Sequence, residues 1–119
     1  MGRRVFITGL GLIAPHGEDP ASIFDRIYRG DSAVQLVRSG TADFGSDLPL
    51  ATVDFTAKDR IPKTQQLFMA RASQMAVVAA EGALRSSGLF GVGQEGAKDG
   101  EIGVYMGCGL GGAEILQEG

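Results

Sequence analysis

The sequence predicts an α/β protein, because strand-like and helix-like apolar patterns alternate along its 119 residues. Short runs rich in β-branched residues predict strands, and longer runs with helical spacing predict helices. Their order is strand, helix, strand, long helix, strand and the start of another helix. Apolar residues make up 44% of the chain, so its composition allows a packed core.

The first predicted strand runs from Arg3 to Thr8, a short β-branched and aromatic run of the kind found in buried strands. Residues 9–17 follow it and are apolar but punctuated by glycine and proline, which predicts a tight internal loop.

A short helix is predicted from about Ala21 to Arg29. Asp19 or Ser22 can cap its start, Pro20 suits its first turn, and Gly30 ends it. Its inner face consists of apolar residues at helical spacing: Ile23, Phe24 and Ile27.

The middle of the chain is less regular. The stretch from Asp31 to Leu48 has no sustained period and is predicted to be a loop. Leu50 to Phe55 is predicted to be a second, shorter strand, and Asp59 to Pro62 a break.

A long helix is the strongest predicted element, from Thr64 to Ser87 with Gly88 as its stop. Its middle is apolar nearly all round and rich in alanine, so it must be covered on several sides. Small residues also let another backbone approach closely. Because three strands cannot cover this helix, we expect residues 1–119 to be an incomplete part of a larger domain, or a subunit completed by a partner.

The last part of the chain is predicted to contain a polar surface loop and a third strand. The loop runs from Leu89 to Gly100 and the strand from Glu101 to Met106. The glycine-rich segment Gly107–Gly112 follows, and Ala113 to Gln117 begins another helix.

Composition excludes several classes of function. The net charge of −3 gives no basic surface, so no nucleic-acid partner is expected. No apolar run approaches the roughly 18–20 residues of a membrane span. The single cysteine, Cys108, favours a reducing cytoplasm, and with His16 as the only histidine no metal site is expected.

Two segments match the glycine pattern of dinucleotide-binding loops, residues 9–14 and residues 107–112. Pro15 disfavours the first, because a phosphate-binding turn must lead directly into a helix. Asp31 lies about as far along the sequence from residues 9–14 as the acidic residue that binds the ribose in dinucleotide-binding domains. It follows Gly30 in a loop, however, and does not end a second strand. For the second segment, we prefer close backbone packing beside a pocket.

Four segments in order also resemble one known family: residues 3–17, 23–33, 53–55 and 102–112. The corresponding family patterns are R-R-V-x-I-T-G-x-G-x-x-S/T-P-x-G, W/F-x-x-L-x-x-G-x-S-G-I, V-x-D-F and R-x-G-V-x-x-G-S/T-G-x-G-G. The chain therefore resembles the opening of the beta-ketoacyl-acyl carrier protein synthases, which are condensing enzymes of the thiolase-like superfamily. Ala14 replaces the usual Ser or Thr, and residues 69–72 replace a frequent Met-Asp-x-Phe.

The resemblance implies the N-terminal part of a layered αβαβα thiolase-like fold. It also implies acyl transfer to a cysteine thiolate and decarboxylative condensation with malonyl-acyl carrier protein, in fatty-acid or polyketide synthesis. That chemistry needs no cofactor. The family's catalytic cysteine and its two histidines, or histidine and asparagine, belong to later motifs, so no catalytic residue is expected in this segment.

The resemblance further implies that Leu110 lines the acyl-chain pocket, with Gly109 and Gly111 leaving room for it. The alternative is an ordinary core leucine. Cys108 stands where the family usually has Ser or Thr, so it is interpreted as a small packing residue, and His16 as a loop residue.

The implied partners are an acyl carrier protein and a second synthase subunit, in a homodimer or heterodimer. Two other interpretations stay open. The first is a non-catalytic subunit similar to a chain-length factor, and the second is a nucleotide-binding α/β domain. Residues beyond this segment would decide the first, and nucleotide titration the second.

Overall fold

The computed structural model describes residues 2–38, 47–88, 103–109 and 111. These residues form two compact units, Leu12–Phe55 and the combination of Met1–Gly11 with Thr56–Gly119. Their helices and strands are, in chain order, α1 (Pro20–Tyr28), β1 (Gln35–Val37), β2 (Leu48–Leu50), α2 (Lys63–Gln66) and α3 (Arg71–Ser87). Helices and a small sheet are therefore both present.

Helix α1 confirms the short helix that the sequence predicts. The Asp19 side chain caps it by accepting the backbone N–H of Ser22 at 2.8 Å. At the other end, Gly30 has a positive φ of 79°. The N–H groups of Gly30 and Asp31 donate to the carbonyls of Ile27 and Arg26, which closes the helix as a glycine-ended cap.

Strands β1 and β2 form an antiparallel pair with Gln35 opposite Leu50 and Val37 opposite Leu48. The prediction of a loop from Asp31 to Leu48 is therefore wrong for β1. The predicted strand from Leu50 to Phe55 is also wrong beyond its first residue, since residues 51–55 are not in a strand. A short segment with a weak sequence pattern becomes a strand when another segment pairs with it. The sequence of β1 or β2 alone does not show that the other will pair with it.

The predicted long helix is interrupted between α2 and α3. Ala70 is extended, with φ −57° and ψ 151°, so the helix cannot pass through it. The Gln74 Nε2 group donates to the carbonyls of Met69 and Gln66, at 3.0 and 3.4 Å, and the Gln66 carbonyl also accepts the Met69 N–H at 3.2 Å. The predicted end is confirmed, because Gly88 adopts a left-handed conformation with φ 72°.

The first and third predicted strands are not strands among the described residues. Residues 3–8 and 103–106 have no ladder partner, and their side chains are exposed rather than buried. A strand needs a hydrogen-bonding neighbour, which a run of apolar residues cannot supply by itself. The predicted loop at 89–100, the first two residues of the third strand and the helix at 113–117 lie outside the described residues.

The buried apolar core of the described residues is small. Ile23 and Phe55 are buried in the unit Leu12–Phe55. In the other unit, the buried side chains are Ala57, Ile61 and Val78. The side-chain amide of Gln66 donates to the carbonyls of Ala57 and Ile61, which ties the turn before α2 to that helix.

Candidate functional site

The first glycine loop, residues 9–11, packs directly on the backbone of α3. A Cβ atom added to Gly11 would overlap the Ala79 carbonyl oxygen and lie 2.5 Å from the Ala83 nitrogen. A Cβ on Gly9 would overlap the Ala83 carbonyl oxygen. Because backbone atoms cannot rotate away, only glycine permits this approach at both positions.

Ser86 holds the same loop by hydrogen bonds. The Leu10 N–H donates to Ser86 Oγ at 2.9 Å. That hydroxyl lies 3.0 Å from the Leu10 carbonyl and 3.0 Å from the Ala83 carbonyl, and its one proton serves either of them. The N–H of Leu10 is thus anchored to the last turn of α3, and its carbonyl is one of the two acceptors within reach of the same hydroxyl.

The second glycine loop, of which residues 107–109 and 111 are described, comes near the start of α3 at Gly111. The Gly111 N–H donates to the Cys108 sulfur, with 3.1 Å between nitrogen and Sγ. A Cβ on Gly111 would lie 2.6 Å from that Sγ and 3.4 Å from the Ala72 Cβ, in the first turn of the helix. The thiol of Cys108 is exposed, and its hydrogen bond closes the loop on itself.

The predicted pocket residues are only partly located. Leu110 lies outside the described residues, so its pocket role stays a prediction. Gly109 is exposed, and an added Cβ would meet nothing within 4 Å. Gly111 is also exposed, and of the two glycines it is the one with close neighbours.

The first glycine loop therefore packs along the last three turns of α3, whereas the second approaches the helix only at Gly111, near Ala72 in its first turn. The sequence predicts a close backbone approach to the alanine-rich helix, and the structure identifies that backbone as residues 9–11. Ser86 was not predicted as an anchor. Its signal is a stripe of small residues at helical spacing: Ala79, Gly82, Ala83 and Ser86.

His16 has a structural environment within the unit Leu12–Phe55. Its Nε2 lies 2.9 Å from the Asp31 carbonyl oxygen, so this nitrogen carries the proton and donates. Arg26 Nη1 donates to the His16 carbonyl at 3.5 Å, and Arg26 Nε lies 3.6 Å from an Asp31 carboxylate oxygen. The interpretation of His16 as a loop residue agrees with this network, which joins the loop to the end of α1.

The residues after the first glycine loop do not form a dinucleotide turn. Ala14 and Gly17 exchange both backbone hydrogen bonds at 2.9 Å, and the next helix begins only at Pro20. No helix N-terminus therefore follows the glycines directly, as a pyrophosphate site would require.

In the part of the chain that the structure describes, no three His, Cys, Asp or Glu side chains are grouped so that they could hold a metal ion. Among the same residues, no helix combines the length and the apolar character needed to cross a membrane.

Comparison with known proteins decides the family. The family model described as "Beta-ketoacyl synthase, N-terminal domain" matches residues 2–118. The chain belongs to the beta-ketoacyl synthase family. The resemblance carried by the four sequence motifs is thereby confirmed.

Curated relatives of this beta-ketoacyl synthase segment are similar over nearly its whole length. It is 31% identical to 3-oxoacyl-[acyl-carrier-protein] synthase 2 of Staphylococcus aureus (strain COL) over 97% of this chain and 27% of that protein. It is 26% identical to the chloroplastic 3-oxoacyl-[acyl-carrier-protein] synthase I of Arabidopsis thaliana, over 98% of this chain and 25% of that protein. The chain thus spans about a quarter of the length of the curated relatives it matches. No solved structure matches it.

Proposed function

We propose that this chain supplies the N-terminal part of a 3-oxoacyl-acyl carrier protein synthase, an acyltransferase of fatty-acid or polyketide synthesis. The observation that carries the proposal is the family match over residues 2–118, together with relatives named as such synthases. The reaction joins an acyl group, held as a thioester, to a two-carbon unit from malonyl-acyl carrier protein.

The chemistry divides between this segment and the rest of the enzyme. A cysteine thiolate takes the acyl group and releases the carrier thiol. Malonyl-acyl carrier protein then loses carbon dioxide, and the resulting enolate attacks the acyl carbonyl and displaces the thiolate. Groups that hold the thiolate and stabilise the oxyanion belong to later family motifs, so we expect this segment alone to be inactive.

In the complete enzyme, residues 1–119 form an incomplete part of one layered αβαβα domain. The exposed apolar runs at residues 5–7 and 104–106 support this proposal, since runs that are apolar on both sides are typical of strands covered on both faces of a sheet. Helix α3 is the natural cover for one face of that sheet, because it already contacts residues 9–11 at the end of the first run.

The second glycine loop contributes to the acyl-chain pocket. An added Cβ at Gly109 would meet nothing within 4 Å, and the Gly111 N–H donates to the Cys108 thiol, so neither glycine fills the space around it. Leu110 lies between them in sequence and is the side chain that limits the length of the bound acyl chain.

The acyl carrier protein is the partner that the names of the relatives support. We further propose that the synthase is cytoplasmic and works as a homodimer, or as a heterodimer with a second synthase subunit. The single exposed cysteine, Cys108, suits a reducing compartment.

A chimeric enzyme tests the proposal. Residues 2–118 replace the matched segment of the Staphylococcus aureus synthase, and condensation is assayed with acyl- and malonyl-acyl carrier protein. We expect activity within about tenfold of the intact synthase, which is a loss of no more than about 1.4 kcal/mol in transition-state stabilisation. A chimera that folds to the same melting temperature but forms no 3-oxoacyl product contradicts the proposal.

Chain-length preference in the same chimera tests the pocket. Leu110→Phe should shorten the longest acyl chain that is accepted, because the larger ring fills space that the chain needs. Leu110→Met is the matched control, since it nearly conserves volume. Competition between acyl-carrier proteins of different chain lengths measures the effect, and an unchanged preference in Leu110→Phe would remove the pocket role.

A further inference from the structure

The junction between α2 and α3 leaves the helical path within two residues. Leu67, directly after α2, keeps helical torsions of φ −61° and ψ −24°. The N–H groups of Phe68 and Met69 each donate to a carbonyl three residues back, as in a 3₁₀ turn. Ala70 has a φ of −57°, which suits a helix, but an extended ψ of 151°. The break is therefore confined to Met69 and Ala70.

Helix α3 begins without the features that usually fix the start of a helix. Ala70 occupies its N-cap position, where alanine is among the least favourable residues, and no side chain among the described residues caps it. The first turn holds no acidic residue and begins with Arg71, whose positive charge is unfavourable at a helix N-terminus. Alanine is most favourable inside a helix. The local sequence therefore favours a helix that continues through Ala70 over one that starts there.

An unbroken helix would add backbone hydrogen bonds at the junction. The hydrogen-bond ladder of α3 begins where the Gln74 N–H donates to the Ala70 carbonyl at 3.0 Å. With a helical ψ at Ala70, the N–H groups of residues 71–73 would donate to the carbonyls of residues 67–69. Residues 63–81 contain no glycine or proline that would oppose this change.

The side chain of Gln74 favours the broken form. Its Nε2 donates to the carbonyls of Met69 and Gln66, at 3.0 and 3.4 Å. In a continuous helix, eight residues of rise, about 12 Å, would separate Gln74 from Gln66, which is beyond the reach of a glutamine side chain. The hydrogen bond to Gln66 therefore requires the break, and a side chain distant from Ala70 opposes what the local sequence prefers.

We propose that the junction of α2 and α3 is a two-state hinge, in which the broken form exchanges with one continuous helix from Lys63 to Ser87. Phe68 changes its surroundings in this exchange. It is 90% exposed in the broken form. In the continuous helix it lies about two turns before the half-buried Met75 and on the same face, so it joins the apolar stripe of α3. The hinge thus presents or withdraws an aromatic side chain.

Two substitutions should move the hinge in opposite directions. Gln74→Met keeps the length of the side chain but removes its donors, and should raise the ratio of continuous to broken form about fivefold. Ala70→Asp supplies a capping carboxylate and a poorer interior residue, and should lower that ratio about fivefold. Gln65→Met is the matched control for Gln74→Met, because it makes the same change at an exposed glutamine of α2 and should leave the ratio unchanged.

Amide hydrogen exchange in the chimeric synthase measures the ratio without reference to its activity. The amides of residues 71–73 should exchange more slowly in Gln74→Met and faster in Ala70→Asp than in the unchanged segment. Fluorine NMR with 4-fluorophenylalanine at position 68 supplies a second measurement, and its signal should shift in opposite directions in the two variants.

The opposite signs keep the hinge separate from a general loss of stability. Faster exchange in both variants would overturn the proposal, because both substitutions would then only destabilise the segment. Equal exchange and an unchanged fluorine signal in all variants would also overturn it, because the junction would then have a single form. Condensation activity, measured on the same samples, reports on the proposed function independently of either result.

Discussion

The two glycine loops share a sequence pattern, but their glycines have different surroundings. In the loop of residues 9–11, a side chain would collide with the backbone of α3, and Ser86 Oγ accepts the N–H of Leu10. In the loop of residues 107–111, Gly107 and Gly109 have open space, and only Gly111 has near neighbours. A G-x-G pattern therefore indicates close approach in one place and spare room in the other.

Gly11→Ala should have the largest effect on this comparison. The new Cβ would overlap the Ala79 carbonyl, so the loop must leave the helix, at a cost of about 3 kcal/mol in the free energy of unfolding. Urea unfolding of the chimeric synthase that carries this segment measures the change. Gly2→Ala is the control, because nothing lies within 4 Å of its added Cβ. Equal stability of the two variants would contradict the close packing.

Ser86→Ala should have the next largest effect. It removes the hydroxyl that binds the N–H of Leu10 and one carbonyl, and we expect a loss of about 1–2 kcal/mol. Ser73→Ala, also in α3, is the control for the higher helix propensity of alanine. The difference between their urea midpoints isolates the anchor, and no difference would mean that the loop stays in place by packing alone.

Gly111→Ala should have the smallest effect of the three, about 1 kcal/mol or less, because the crowding atom is the rotatable sulfur of Cys108. The double variant Gly111→Ala with Cys108→Ala should recover most of that loss. Thiol alkylation supplies a second measurement, since Cys108 displaced from the Gly111 N–H should react at a different rate. Gly109→Ala is the control, because nothing lies within 4 Å of its added Cβ. A larger loss of unfolding free energy for Gly109→Ala than for Gly111→Ala would contradict the open space around Gly109.

Elements built on local interactions could be predicted from the sequence. Asp19 and Gly30 define the ends of α1, and Gly88 defines the end of α3, because caps depend on residues within one turn. The interruption at Ala70 could not be predicted in this way, since a glutamine at position 74, whose side chain donates to the Met69 and Gln66 carbonyls, is equally compatible with an unbroken helix.

Strands were predicted less well, for a physical reason. Residues 5–7 have the composition of a buried strand, but pairing is a property of two segments, and the described residues give this one no partner. Conversely, β1 and β2 pair with each other although their sequences carry little pattern. Of the candidate site, the sequence predicts the close approach to α3, whereas the roles of Ser86 and of the hydrogen bond between Gly111 and Cys108 depend on how distant segments pack in the structure.

The contact between residues 9–11 and α3 also restricts how this protein can vary. Gly9 and Gly11 face carbonyl oxygens of Ala79 and Ala83, which every amino acid carries in the same place. Shrinking the opposing side chains therefore cannot make room for a larger residue at position 9 or 11. Second-site suppressors of Gly11→Ala should then arise where they shift α3 as a whole, and not at the residues it touches.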